Sequence, residues 1–335
     1  MSVRSSNHLP ISLVIPVLNE ALTFGDLLAS VLAQTYRPEE IIFVDSGSED
    51  GTVTLIHNAL RDEPAIKLIE GTVRDPGHGR NLGIAAATND WVALTDAGIR
   101  LEPTWLEELV KVIKTQPEVD VVYGNYEPII ETFFERNAAL VYVPPKQARP
   151  GGDMRGPCVP SCLLRRSVWQ KVGGFPHLRA AEDLIFIERI EQGGFTIGWA
   201  PRATVWWQLR PTLWATFRRF VLYSRHNVLA GRQRYWHYGV ARQYVIALIF
   251  ALIAFATGRW WWLIPIPVGL LLRALKSFWN HRKSQSLWGM LNPVRVGHVL
   301  LIILAIDLAT FIGWAQAAGK GDPNIGVERF RNKGV

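Results

Sequence analysis

The sequence predicts an α/β domain built on a doubly wound, mostly parallel sheet, followed by an amphipathic and transmembrane α-helical region. Three observations predict it. Short apolar runs, partly β-branched, recur between residues 10 and 125 and alternate with stretches of helical spacing, the pattern of a sheet buried on both faces. Two of these runs end in an aspartate: Ile41-Ile42-Phe43-Val44 leads into Asp45, and Trp91-Val92-Ala93-Leu94-Thr95 leads into Asp96. A carboxylate there serves no core; it sits at the carboxyl edge of the sheet, where open α/β folds bind ligands. The third observation is charge. Residues 1–191 carry 26 of the 29 acids and 18 of the 36 bases, and no carboxylate occurs between Glu191 and Asp307, a gap that holds 14 Lys and Arg.

The elements follow in order. Ile11 to Pro16 is a strand that runs into Asn19-Glu20, a third polar strand end. Ala21 to Gln34 is a helix, with Leu22, Leu27, Leu28, Val31 and Leu32 at helical spacing. After the Ile41 strand, the turn Ser46 to Thr52 opens a helix to Leu60, with Ser48 and Asp50 as its caps rather than as ligands. Ile66 to Glu70 is a strand, Gly77 to Ala87 a helix, and Trp91 to Thr95 the next strand. Pro103 stands at the first turn of a helix whose Trp105, Leu106, Leu109, Val110 and Ile113 share a face. Val119 to Gly124 is a further strand. Tyr142 to Pro160, rich in Pro and Gly, is expected to be a mobile loop over the site. Leu178 to Gln192 carries Glu182-Asp183 at the start of a helix.

The second half is hydrophobic and basic. Apolar residues make up 49% of the chain, high for a soluble protein. Eleven of the 14 tryptophans lie at or after Trp199, beside arginines at the ends of apolar runs. That is the membrane-interface pattern, so the basic charge implies anionic membrane lipids and no nucleic acid. Leu213 to Leu229 is expected to be an amphipathic helix lying flat on the membrane. Residues 243–258 and 260–272 are uncharged and short; a 16-residue helix spans only ~24 Å against a hydrocarbon core of ~30 Å. They suit a hairpin with Arg259 at its far end, Trp260-Trp261-Trp262 in the interface belt, and Arg242 and Arg273 snorkelling to the near side. Residues 296–318, which contain Asp307, either cross or re-enter. The basic loop from Lys276 to Arg295 falls on the cytoplasmic side by the positive-inside rule. The resulting division is a catalytic domain over 1–210, an amphipathic interfacial region over 211–242, transmembrane or re-entrant helices over 243–318, and a basic tail over 319–335.

Two cysteines, Cys158 and Cys162, exclude a disulfide framework, and no ligands of zinc spacing stand beside them. Met1 to Arg4 leads into the first strand without an apolar leader, so the catalytic domain is expected in the cytoplasm.

Several stretches together resemble the family-2 inverting glycosyltransferases of GT-A fold, over roughly residues 9–230. They are Ile15-Pro16-Val17-Leu18-Asn19-Glu20, Val44-Asp45-Ser46-Gly47-Ser48-Glu49-Asp50-Gly51-Thr52, Gly79-Arg80-Asn81-Leu82-Gly83, Leu94-Thr95-Asp96-Ala97-Gly98, Gly173-Gly174-Phe175 and Glu182-Asp183-Leu184. The resemblance implies transfer of a sugar from a nucleotide-sugar donor to a hydroxyl or phosphate of a lipid-linked or saccharide acceptor, in cell-envelope polysaccharide or glycolipid synthesis. It implies that Asp45 accepts hydrogen bonds from the base, that Pro16, Asn19 and Glu20 shape the base and ribose pocket, and that Arg80 lies near the diphosphate. The plain alternatives are a turn cap for Asp45 and a solvated helix charge for Arg80. The Ser46–Thr52 turn lacks the Gly-Lys-Ser/Thr ending of a phosphate-cradling Walker loop.

Asp96 stands where the family carries an Asp-x-Asp metal motif, but its second aspartate is Gly98 here. The resemblance implies a divalent cation, Mg²⁺ or Mn²⁺, on the diphosphate. Phosphates and waters complete most of such an octahedron, so Asp96 could still ligate it; Asp96 could equally bind only ribose. Asp183 matches the family's general base, the one carboxylate an inverting displacement requires. Glu182 beside it is a second candidate, or a residue favouring the helix N-terminus. Arg218, Arg219 and Arg225 are candidates for the phosphate of a lipid acceptor, or else for anionic lipid at large. The Gln-x-x-Arg-Trp motif of processive synthases is absent from Gln233-Arg234-Tyr235-Trp236. Gly98 also leaves room for a catalytically degenerate nucleotide-sugar-binding scaffold at the membrane.

Overall fold

The computed structural model describes residues 8–284 and 292–318; the expected tail over 319–335 and part of the Lys276–Arg295 loop lie outside them. The chain forms two compact units. One comprises the residues up to Ile129 together with Lys146–Gln208, and the other Ile130–Pro145 together with the residues from Leu209 on.

The first unit is an eight-stranded mixed sheet with helices on both faces. In chain order it contains β1 (Ile11–Val17), α1 (Phe24–Leu32), β2 (Glu40–Asp45), α2 (Thr52–Asp62), β3 (Ile66–Glu70), α3 (Pro76–Ala86), β4 (Trp91–Leu94), β5 (Ile99–Leu101), α4 (Trp105–Thr115) and β6 (Val121–Ile129). After the excursion into the second unit, where α5 lies, come β7 (Gln147–Arg149), β8 (Gly152–Met154), β9 (Cys162–Arg165), α6 (Arg166–Lys171), α7 (Glu182–Gln192) and β10 (Ile197–Gln208). The strand order is β3-β2-β1-β4-β9-β6-β10-β5. The pairs β2–β3, β1–β2, β1–β4 and β6–β10 are parallel; β9 runs antiparallel between β4 and β6, and β5 antiparallel on the edge beside β10.

Alternation along the central strands explains the two-faced core. Ile11, Leu13, Ile15, Ile41 and Phe43 face one layer with residues of α1, α2 and α4. Val14, Ile42, Val44, Val92 and Leu94 face the other, with Ile84 of α3 and Phe186 and Ile190 of α7. Each strand carries apolar side chains on both faces, as the unbroken apolar runs required.

Three features depart from the expectation. The segment read as a mobile loop holds α5 (Phe133–Tyr142) up to its first residue, then the β7–β8 hairpin, which pairs Gln147 with Met154. The strands β5, β9 and β10 were not foreseen: β5 has three residues, β9 four, and β10 shifts register between Ala200 and Thr204, across Pro201 and Arg202. Ser48 does not cap α2, whose N-cap position is Gly51 at φ 93°, whereas Asp50 Oδ1 does accept from the N–H of Thr52, the first residue of the helix (3.2 Å). Both side chains also join two loops. The Asn19 N–H donates to Ser48 Oγ (2.8 Å), and the Ala21 N–H donates to Asp50 Oδ2 (3.0 Å).

The second unit is helical: α5, α8 (Leu213–Leu229), α9 (His237–Thr257), α10 (Pro265–Asn280) and α11 (Pro293–Ala318). The segment Ile130–Pro145 belongs here, although the sequence reading kept it with residues 1–210. Its helix α5 starts on a capping box formed by Thr132 and Glu135. Among the described residues, three stretches are long and apolar enough to cross a membrane: His237–Thr257, Trp260–Asn280 and Pro293–Ala318. The first two exceed the predicted segments, because helix α9 begins five residues before Arg242 and α10 continues past Arg273. Twenty-one residues span ~31 Å, enough for the hydrocarbon core. Arg273 does not snorkel. It donates from Nη1 to Asp307 Oδ2 (2.6 Å) and from Nη2 to Asp307 Oδ1 (2.8 Å), and the Tyr244 hydroxyl donates to the same carboxylate (2.9 Å). Helix α8 keeps its predicted bounds and lies against α11: Ser224 Oγ donates to the Thr310 carbonyl (2.7 Å), and a Cβ at Gly313 would stand 2.5 Å from the Val221 carbonyl.

Candidate active site

The candidate residues sit at the carboxyl ends of β1, β2 and β4, three adjacent parallel strands. Asp45 is the last residue of β2 and is buried. Its Oδ2 accepts from the Gly47 N–H (2.9 Å) and the Ser48 N–H (3.0 Å), so the turn-cap reading holds for that oxygen. Its Oδ1 is buried without a hydrogen-bond partner. A buried acceptor left unmade costs free energy, and this one is an acceptor the protein does not use itself.

Asn19 lies in the left-handed region at φ 56°, and its Oδ1 accepts from the Glu49 N–H (2.8 Å). Glu20 donates its N–H to Thr52 Oγ1 (2.8 Å), while its Oε2 accepts from the Thr23 hydroxyl (2.6 Å). These bonds stitch the loop after β1 to the loop after β2. Gly98, at φ 74°, brings the turn after Asp96 to the same place: a Cβ there would stand 3.4 Å from Glu20 Oε2.

Helix α3 supplies the one cation of the cluster. It starts with Asp75 as N-cap, whose Oδ1 accepts from the Gly77 N–H (2.9 Å). Gly79 and Gly83 let it lie on β1: a Cβ at Gly79 would be 3.2 Å from Pro16 Cβ, and one at Gly83 would be 2.3 Å from Val14 Cγ1. Between these glycines, Arg80 is only 3% exposed. It donates from Nη2 to Asp96 Oδ1 (2.6 Å) and from Nη1 to Glu182 Oε1 (2.9 Å). The solvated-charge alternative for Arg80 is therefore wrong; burial works against its charge, and the Asp96 and Glu182 carboxylates more than offset it.

Glu182 and Asp183 open α7. Glu182 is buried, and that burial pushes its carboxyl up to about 7 against the opposing pull of Arg80. Asp183 is half-buried, and its Oδ1 accepts from the N–H of Leu184 (2.8 Å). Enclosure raises its carboxyl above the ordinary range, again opposed by Arg80. Ala181, just before the pair, holds φ 70°. Among the described residues, Asn19 and Ala181 are the non-glycine positions at positive φ, and both border the candidate site, where such strain commonly collects.

Thus Arg80, Asp96, Glu182 and Asp183 come together, with Glu20 against Gly98 and with Asp45 and Asn19 at the neighbouring strand ends. Arg218, Arg219 and Arg225 lie on α8 in the helical unit; the Arg219 guanidinium stacks over the Tyr223 ring (4.6 Å). Cys158 and Cys162 are free thiols. Sequence reasoning missed the bridge from Arg80 to Glu182 and the role of Asn81. The Asn81 amide donates to the Phe175 carbonyl (2.9 Å) and its Oδ1 accepts from the Phe175 N–H (2.9 Å), which ties two of the quoted motifs together. The available signal was three glycines, Gly77, Gly79 and Gly83, within one helical stretch, which marks close backbone approach.

A divalent cation fits this donor set in part. Among the described residues no group of three or more His, Cys, Asp or Glu is placed to hold a metal. Asp96 offers one carboxylate, half engaged by Arg80, so a cation here would take most of its shell from phosphates and water.

Residues 12–173 match the family described as glycosyl transferase family 2. They form a family-2 glycosyltransferase domain. The chain is 30% identical over 200 residues to the glycosyltransferase AglE of Haloferax volcanii, covering 57% of this chain and 64% of AglE. It is 24% identical over 229 residues to a poly-beta-1,6-N-acetyl-D-glucosamine synthase of Staphylococcus aureus, covering 65% of this chain and 55% of the synthase. The chain thus spans between half and two thirds of the length of these relatives. Residues 1–349 of S. aureus TarS share the fold, with a TM-score of 0.50 at 16% identity over 92% of both chains.

Proposed function

We propose that the protein is a membrane-associated inverting glycosyltransferase that moves a sugar from a nucleotide-sugar donor to a lipid-linked or saccharide acceptor, with its catalytic domain on the cytoplasmic side. The observation that carries this reading is the cluster itself: Asp96 at a strand end and Asp183 at a helix start, both within the field of one buried arginine, beside the unused Asp45 oxygen.

In this reading Pro16, Asn19, Glu20 and Asp45 hold the nucleoside, with Asp45 Oδ1 accepting from the base. Asp183 takes the proton of an acceptor hydroxyl as its oxygen bonds the anomeric carbon and the bond to the diphosphate breaks. Burial makes its carboxylate more basic than an ordinary aspartate's, the direction a proton acceptor needs. The departing diphosphate needs positive charge; Mg²⁺ or Mn²⁺ held by Asp96 and the diphosphate would supply it. Arg218, Arg219 and Arg225 are the arginines for a lipid phosphate, acceptor or bulk.

The test is a thermal-shift panel of UDP, GDP and dTDP and their sugars on the full chain in detergent, with and without Mg²⁺ or Mn²⁺. A ligand that binds only the folded state raises the melting temperature. One donor is expected to do so and to release its nucleoside diphosphate on turnover, and Asp183→Asn should bind that donor yet turn nothing over. Full turnover by Asp183→Asn would remove it as the base. Gly98 motivates a second reading, a catalytically degenerate scaffold: there nucleotide binds, but no acceptor, lipid or saccharide, supports transfer.

A further inference from the structure

We propose that Arg80 and Glu182 are positioning residues: the buried bridge Asp96–Arg80–Glu182 locks the helix that carries Asp183 to the strand end that carries Asp96, so that its loss impairs turnover and spares donor binding. The proposal rests on the transferase reading above and assigns to Arg80 a role different from direct contact with the diphosphate.

The geometry is specific. A guanidinium 3% exposed, with one nitrogen on each of two carboxylates, has little surface left for a ligand. Its Nε is buried and unpartnered, and its Cζ lies 5.3 Å over the Phe175 ring, so the side chain is held by protein on its flank as well. Planar two-pronged recognition of carboxylates is what arginine does best, and lysine would keep only one contact.

The stem of Glu182 is equally confined. A Cβ at Gly77 would stand 3.1 Å from Glu182 Cγ and 3.0 Å from the Pro176 carbonyl, so the first turn of α3 is pressed onto the first turn of α7. The adjoining Ala181 holds a left-handed backbone that only surrounding contacts can maintain. Asp183, one residue on, accepts from the N–H of Leu184 in its own helix, while the two Arg80 nitrogens go to Asp96 and Glu182. Its placement is therefore inherited from Glu182. The charged and titratable groups within its field are Arg80 of α3, Asp96 after β4, Glu182 beside it, Cys158 before β9 and Tyr126 of β6.

The test compares Glu182→Gln, Gly77→Ala and Asp183→Asn in the full chain. Glu182→Gln is isosteric, so it is expected to fold, but its neutral amide gives up the charge-assisted bond to Arg80 and so loosens the bridge. It should leave UDP, GDP or dTDP binding unchanged and lower kcat by about 10- to 100-fold at unchanged donor KM, the scale of an ångström's misplacement. Burial raises the Glu182 carboxyl to about 7, so the variant should also lose the rise in kcat near that pH that accompanies ionisation of Glu182 and completion of the charged bridge, which a purely structural defect would not do. Gly77→Ala, which displaces Glu182 and removes no charge, should reproduce the kcat loss while leaving donor affinity intact. Wild-type kcat and pH profile in Glu182→Gln would overturn the proposal, as would weakened nucleotide binding in that variant. Glu182→Gln as inactive as Asp183→Asn would make Glu182 the base. A wild-type chain that binds no nucleoside diphosphate would fail the transferase reading itself, and the proposal with it.

Discussion

At the scale of single residues, the site is a problem of charge in a small volume. Three carboxylates, Asp96, Glu182 and Asp183, meet one buried guanidinium, and only two of them touch it. Glu182 answers by moving up to about 7, because burial disfavours its charged form. A carboxyl raised on folding binds its proton more tightly in the native state, so it contributes stability at low pH that is lost as pH rises between 4.5 and about 7. Glu182→Gln should flatten that loss: its melting temperature should decline less than the wild type's from pH 5 to pH 8. An unchanged slope would mean that the carboxyl is not strained. Asp45 is a simpler case. Its Oδ2 is consumed by the turn and its Oδ1 is not, so Asp45→Asn, which can turn an N–H toward the base, should weaken nucleoside diphosphate binding by about tenfold or more. Calorimetric titration with the nucleotide found in the thermal-shift panel checks it.

At the scale of elements, glycines decide how closely helices approach their neighbours. Gly83 of α3 lies on Val14 of β1, where a Cβ would come within 2.3 Å. Gly83→Ala should therefore cost about 1–3 kcal/mol by overpacking, read as a fall in the melting temperature with the nucleotide-free chain. Because α3 also carries Arg80, the same change should lower turnover; normal stability would show that the helix can shift without penalty. In the helical unit the decisive contact is polar. Asp307, 2% exposed on α11, is satisfied by Arg273 of α10 and Tyr244 of α9. Asp307→Ala leaves a half-buried arginine unpaired and should destabilise that unit by about 1–3 kcal/mol. The double change Asp307→Leu with Arg273→Met should recover most of it, measured by thermal aggregation in detergent. If the double variant is no better than the single one, the bond has more than a pairing role.

At the scale of the whole molecule, the two halves differ in charge and in hydropathy. The acids concentrate before residue 192 and the bases dominate after it, and among the described residues three stretches are long and apolar enough to cross a bilayer. The full chain should remain in the membrane fraction after high-salt and alkaline washes and be released by detergent; release by salt alone would mean surface attachment only. The amino-acid order alone determined the alternation of β1 to α4, the bounds of α8, the strand-end carboxylates Asp45 and Asp96, and the Glu182-Asp183 start of α7, because hydrophobic period and helix signals are local. It could not show β5, β9 or β10, whose short or interrupted patterns become strands only through their neighbours' edges. Nor could it show that Arg80 belongs to Glu182, 102 residues away, or that Arg273 answers Asp307 instead of reaching for water. Such pairings depend on which side chains are desolvated together, and only the tertiary packing decides that.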